Sequence, residues 1–149
     1  MTTPFYSASC KDGSGVQPRA GIALCSVTGS YDFTAAFVDE DIVKLVKIPK
    51  GATIIDVIMA VPALTDQADV VWAVGDDQAA TDAANERFIT GATKGRSSAG
   101  GVDRLNVPSG HGYKYTVDAN IIFHITTVPG ATAVTSGTIT LTVLYTMDP

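Results

Sequence analysis

Thr138-Ile139-Thr140-Leu141-Thr142-Val143-Leu144-Tyr145-Thr146-Met147 decides the fold class. Ile139, Leu141, Val143, Tyr145 and Met147 fall on one side of a two-residue period; Thr138, Thr140, Thr142 and Thr146 fall on the other. Side chains alternate across a strand, so this pattern predicts a half-buried antiparallel strand. The second strong signal is 53–61, where Ile54, Ile55, Val57, Ile58 and Val61 crowd a run that Pro62 ends. That density predicts a strand buried on both faces, or nearly so. Ile54, Val57, Ile139, Leu141 and Val143 are the predicted centre of the core.

Working outward, strands are expected at 22–28 and 31–38 with Gly29-Ser30 as the turn between them, and at 42–48 before the turn Pro49-Lys50-Gly51. Residues 70–75 carry the only tryptophan, Trp72, and 87–89 read as a further strand. Residues 113–117 and 120–128 read as a hairpin turning at Asp118-Ala119. Residues 81–86 are Ala-rich enough for one helical turn, and 91–101 form a small, polar, Gly-rich loop. About eight or nine strands, without a repeat, fit a sandwich or barrel. The long connections at 62–69, 76–86 and 91–108 favour sheet-to-sheet crossovers over a meander. The expectation is an all-β, antiparallel jelly-roll-like sandwich or barrel over 21–149, with at most one short helix. Before it, 1–20 has few large apolar residues and reads as an extended N-terminal arm.

Composition agrees. Among 149 residues stand 18 Thr, 16 Val and 11 Ile against 6 Leu, a balance that suits pleated surfaces rather than helices. The formal charge of −5 excludes a strongly basic binder of nucleic acid backbones. No apolar run approaches the roughly 20 residues a membrane-spanning helix needs, and 1–4 have no basic n-region. One soluble, acidic domain is expected, with no direct nucleic acid or membrane partner.

The search for chemistry yields little. Nucleophilic catalysis needs a base beside a Ser, Thr or Cys, and only His111 and His124 are on offer. His124 lies in an apolar strand and His111 in a glycine turn, so both read as structural or solvated. Cys10 and Cys25 read as small buried hydrophobes rather than a disulfide framework. Asp76, Asp77, Asp82 and Glu86 have carboxylates at loop spacing, which calcium favours, but lack the order of a calcium-binding helix-loop-helix. The run Gly91-Ala92-Thr93-Lys94-Gly95-Arg96-Ser97 resembles a phosphate-binding loop but is one residue short between glycines and has Arg where Lys is needed. Tyr31, Trp72, Tyr113 and Tyr115 fall mostly in strands and read as core rather than as a carbohydrate platform. No catalytic, metal or cofactor residue is expected.

Three stretches carry a resemblance. They are Leu45-Val46-Lys47-Ile48-Pro49-Lys50-Gly51-Ala52-Thr53-Ile54-Ile55-Asp56-Val57, then Trp72-Ala73-Val74-Gly75-Asp76-Asp77 with Arg87-Phe88-Ile89, and the terminal Thr-alternating strand. Together they resemble the capsid decoration, or cement, proteins of tailed bacteriophages, which have a jelly-roll-like fold. The resemblance implies a non-enzymatic virion protein, made in the host cytoplasm, that sits on the outer capsid surface. It implies the major capsid protein as partner and a homo-oligomer, a trimer before a dimer. A phage tail or fibre module and a carbohydrate-binding β-sandwich are the alternatives. Subunit or capsid contact is expected from the N-terminal arm (Phe5, Tyr6, Arg19) and from the 91–107 loop (Lys94, Arg96, Asp103, Arg104).

Overall fold

The computed structural model describes residues 5–6, 24–65, 70–78, 85–127 and 133–147. These hold nine strands: β1 Phe5–Tyr6, β2 Leu24–Phe33, β3 Ile42–Ile48, β4 Ala52–Val61, β5 Val71–Asp76, β6 Ile89–Ala92, β7 Gly101–Arg104, β8 Ala119–Thr127 and β9 Gly137–Met147. Five form one sheet in the order β1-β3-β8-β5-β6, and four form the other in the order β2-β9-β4-β7. From β2 to β5 the chain changes sheet at every connection. Such crossovers, not hairpins, build a jelly-roll-like sandwich. The expected all-β architecture is the observed one. Every pairing is antiparallel except β1 on β3, which is parallel. Of the expected arm, only Phe5 and Tyr6 are described; Arg19 and Cys10 lie outside the described residues.

β9 forms the spine of the smaller sheet, hydrogen-bonded to β2 on one side and β4 on the other. Its inward residues Ile139, Leu141, Val143 and Tyr145 are buried, as are Ile54 and Val57 of β4. The larger sheet covers them with Ile121, Phe123 and Ile125 of β8 and Trp72 and Val74 of β5. Aromatic rings extend that layer to one end of the sandwich: Trp72 to Phe123 at 5.5 Å, Phe123 to Phe37 at 5.7 Å, and Phe37 to Phe33 at 4.8 Å between centroids. Half-buried Cys25 packs against the same core.

Three expectations need correction. β2 runs unbroken through Gly29-Ser30, with Gly29 opposite Leu141 in the ladder, so the predicted turn is strand. Residues 113–117 do not form a hairpin with β8. Instead Lys114 bridges Thr53 of β4, and Tyr115 N–H donates to Ala52 O at 2.9 Å. β4 needs a neighbour at that end because β7 pairs only with residues from Ile58 to Val61. Finally, β4 is buried on one face only: a register shift at Ile55 leaves that side chain 44% exposed, and Ile58 and Ala60 face outward half-buried. An apolar outward face and a buried one read alike in sequence.

Gly29 answers to a different demand than a turn. A Cβ built there would lie 2.1 Å from Leu45 O and 2.7 Å from Val46 Cγ1. β3 is bulged at this point, its ladder to β8 jumping from Lys44 to Val46. The extra residue pushes the Leu45 carbonyl towards β2, and only glycine leaves room for it. Gly29→Ala is expected to destabilise the fold by more than about 2 kcal/mol in urea unfolding, because backbone must move to admit the methyl group. Gly51 makes no such contact, and Leu141→Ala is expected to cost about 2–5 kcal/mol as an ordinary core truncation.

Candidate functional site

The charged loop singled out in sequence follows β6 and is tied to the body of the sandwich. Trp72 is buried in β5, and its indole Nε1–H donates to Lys94 O at 2.8 Å. Arg96 Nε donates to Val70 O at 2.7 Å, so the guanidinium is turned inward. Gly95 adopts φ +92° against Leu64, and its carbonyl accepts the N–H groups of Leu64 and Thr65 at 2.9 and 3.1 Å. Ser98 N–H returns to Thr65 O at 2.9 Å. The carbonyls of Lys94 and Gly95 and the guanidinium of Arg96 are thus tied to the body of the sandwich.

Further along, Arg104 of β7 pairs with Asp56 of β4, while Lys94 is exposed and Asp103 half-buried. Thus, of the four loop residues expected to make contacts, two guanidiniums hold the loop in place. Phe5 and Tyr6 lie on the edge of the larger sheet, in register with Val43 and Lys44. β1 is one edge of the larger sheet, whereas the loop begins at β6 on the opposite edge and ends in β7 of the smaller sheet, so the loop group and the arm group do not form one patch.

A second cluster was legible only as a set of acids. Asp76, at the end of β5, is fully buried. Its Oδ2 accepts Arg87 Nε at 2.6 Å and the Tyr115 hydroxyl at 2.8 Å, and its Oδ1 accepts Gln78 N–H at 3.1 Å. Arg87 in turn lies over the Tyr113 ring, 4.0 Å from its centroid, and Tyr113 meets Tyr115 edge-on at 5.1 Å. Burial and the neighbouring Asp76 carboxylate push the Tyr115 hydroxyl far above the ordinary tyrosine range, so it stays a neutral donor. Asp77, the next residue, turns the other way to Lys44 Nζ at 3.0 Å and Asn120 Nδ2 at 2.6 Å. Burial pushes the Asp77 carboxyl up, but the hydrogen bonds from Asn120 and Lys44 prevail and hold it below the usual range.

Asp76 and Asp77 thus turn their oxygens to different internal partners rather than to a common point. Asp82 lies outside the described residues. Among the described residues no three acidic, His or Cys side chains gather around a common point. His124 is buried with Nε2 3.2 Å from Glu40 Oε2, and its Nδ1 has no hydrogen-bond partner. His111 is exposed at the end of the 3-10 turn Pro108–Gly110. The aromatic-floored hollow at residues 31–41 is lined by Tyr31, Phe33, Phe37 and Asp41 and is open to solvent.

No family model matches the sequence, and no curated protein matches it. Solved structures do match the fold. One chain from "Capsid of Ralstonia phage GP4" superposes with a TM-score of 0.78 at 18% identity, covering 99% of each chain. A chain from "Cyanophage Pam1 capsid asymmetric unit" gives 0.72 at 17% identity over 91% of this chain and 92% of that one. A third, from "Acidic stable capsid structure of Helicobacter pylori bacteriophage KHP30", gives 0.55 at 17% identity over 82% and 87%. What is shared is the sandwich from end to end.

Two outcomes follow for the buried acids. Asp76→Ala is expected to cost about 3–5 kcal/mol of unfolding free energy, because Arg87 and Tyr115 lose a buried acceptor together. The Asp77 carboxyl, held low in the native state, contributes stability above its unfolded pKa near 3.8 and loses it as pH falls through its native value. Acid titration of the melting temperature should therefore fall more shallowly below about pH 4 for Asp77→Asn than for the parent.

Proposed function

We propose that this chain is a non-enzymatic structural protein of a bacteriophage virion, which binds the outside of an icosahedral capsid and clamps neighbouring capsomers. The end-to-end likeness to the Ralstonia phage GP4 capsid chain carries the reading, since it spans 99% of both chains at a TM-score of 0.78. The described charged groups support it. Asp76, Asp77, Arg87, Arg96 and Arg104 brace the fold internally rather than converge on a cleft. A rigid, internally braced sandwich is what a clamp requires. Modest contacts repeated over a shell add through multivalency to firm attachment.

Contact is assigned to the arm and to the exposed parts of the 91–107 loop. Lys94 is exposed there and half-buried Asp103 stands opposite Met59 of β4, while Arg96 and Arg104 keep the loop in shape. Exposed ion pairs contribute only about 0–1 kcal/mol each, so no single charge dominates. The arm, with Phe5, Tyr6 and Arg19, is assigned contact with a neighbouring subunit, beginning at the strand that Phe5–Tyr6 already adds to β3. The major capsid protein is the partner this reading requires.

The test is reconstitution. Purified protein mixed with undecorated shells should cosediment with them in a fixed ratio and raise their melting temperature. Deleting 1–18 should weaken attachment, as should Lys94→Glu on the exposed part of the loop, each leaving the fold intact by circular dichroism. If the parent does not bind shells at all, the reading is wrong. If both variants bind like the parent, contact lies on the strand faces instead.

A further inference from the structure

Asp41 and Asp76 are the buried acids among the described residues, and they are satisfied differently. Asp76 has the Arg87 guanidinium against it. Asp41, immediately before β3, is only 6% exposed, and no described cation pairs with it. Its Oδ2 accepts the Val38 N–H at 2.8 Å, and its own N–H donates to Val38 O at 3.1 Å, which closes the turn. No described residue donates to Oδ1. That oxygen is not sealed in the interior, so it opens into the hollow that Asp41 lines. A buried carboxylate without a cation is costly, and a cation that reaches it removes the cost.

The hollow has walls of Tyr31, Phe33, Phe37, Ala35 and Ala36 and a volume of about 310 Å³ with its mouth included. Ligand pockets commonly begin near about 300 Å³, so this one admits a single side chain rather than a folded segment. Its walls are preformed, because Phe37 packs between Phe33 and the core ring of Phe123. Burial and the Asp41 carboxylate push the Tyr31 hydroxyl above the ordinary tyrosine range, so a neutral phenol faces the acid. Around the mouth the charge has one sign. Residues 20–43 hold Asp32, Asp39, Glu40 and Asp41 and no Lys, Arg or His. Asp32, Asp39 and Glu40 are exposed, and Lys44, the next cation along the chain, is engaged by Asp77 at 3.0 Å. Such a field draws cations to the hollow and repels anions.

We infer that this hollow receives a lysine side chain presented by another protein. The apolar four-carbon stem of lysine suits the aromatic and alanine walls, and ring faces attract its charge. A single carboxylate oxygen is open, which suits a compact ammonium. The arginine fork prefers both oxygens of a carboxylate, and here Oδ2 is taken by Val38. Val38, 52% exposed beside Phe37, carries the apolar contact from the hollow onto the surface around it, where the rest of a protein partner would lie. The site does not depend on attachment to a shell, so either reading can fail without the other.

The test is an amide NMR titration of the isotope-labelled full chain at low salt. The probes are Nα-acetyl-lysine methylamide and its arginine and norleucine counterparts. The lysine probe should shift the signals of residues 31–41 saturably. It should bind at least about tenfold more tightly than the norleucine probe, which has the same stem without the ammonium, as one hydrogen bond to a charged group predicts. Asp41→Asn keeps an acceptor for the Val38 N–H and should bring the two affinities together, with the rest of the spectrum unchanged. Ala36→Leu narrows the hollow, leaves the Asp41 turn alone and should abolish the saturable shift; it decides the matter if Asp41→Asn does not fold. The inference is overturned if the lysine probe gives no saturable shift, if the norleucine probe binds as well, or if either folded variant binds lysine like the parent. Tighter binding of the arginine probe overturns it equally.

Discussion

The two sheets of this sandwich pack face to face, and they come into backbone contact where β2 meets β3. Sheets packed face to face usually stand about 10 Å apart, filled by side chains from both. At Gly29 the side chain is gone and the bulged Leu45 carbonyl occupies the place a Cβ would take. That contact brings the middle of β2 over the larger sheet and aligns β9, its neighbour, above β8. The buried row from Ile139 to Tyr145 depends on this alignment, because a one-residue slip would turn its threonines inward.

The opposite requirement governs polar groups. β5 ends inside the protein, and the carboxylate of Asp76 would be costly there without Arg87, Tyr115 and the Gln78 amide. This one acid ties the segments around Arg87 and Tyr115 to the end of β5, while Asp77 fastens β3 and β8 to it through Lys44 and Asn120. The two faces of the sandwich differ accordingly. On the larger sheet Ala73, Ile122 and His124 are buried on the side away from the core, whereas the smaller sheet leaves its hydroxyl-lined side open.

Much of the fold was legible where periodicity is strict. β9 alternates without a break, and its inward residues were identified from the pattern alone. β4 was read as doubly buried because Ile55 and Ile58 are as apolar as Ile54 and Val57, and burial of an outward face leaves no trace in hydropathy. Gly29-Ser30 carries turn chemistry, but steric contact with another strand places glycine there, and no local rule reports it. The same holds for Tyr113 and Tyr115, whose partner is β4 rather than their neighbour in sequence. At the candidate site, the charges of the 91–107 loop were visible, but not that Arg96 turns inward to Val70 O or that Arg104 pairs with Asp56 along the sheet. The acidic quartet hid a salt bridge whose partner, Arg87, lies 11 residues from Asp76 in the chain.

Attachment to a shell is tested most directly by electron cryomicroscopy of the intact virion. The nine-stranded sandwich should fit icosahedrally averaged density on the outer capsid surface, with the ends of the arm and the 91–107 loop against neighbouring capsomers. A shell whose averaged density has no place for the sandwich, with the protein found only at the tail, would contradict that attachment.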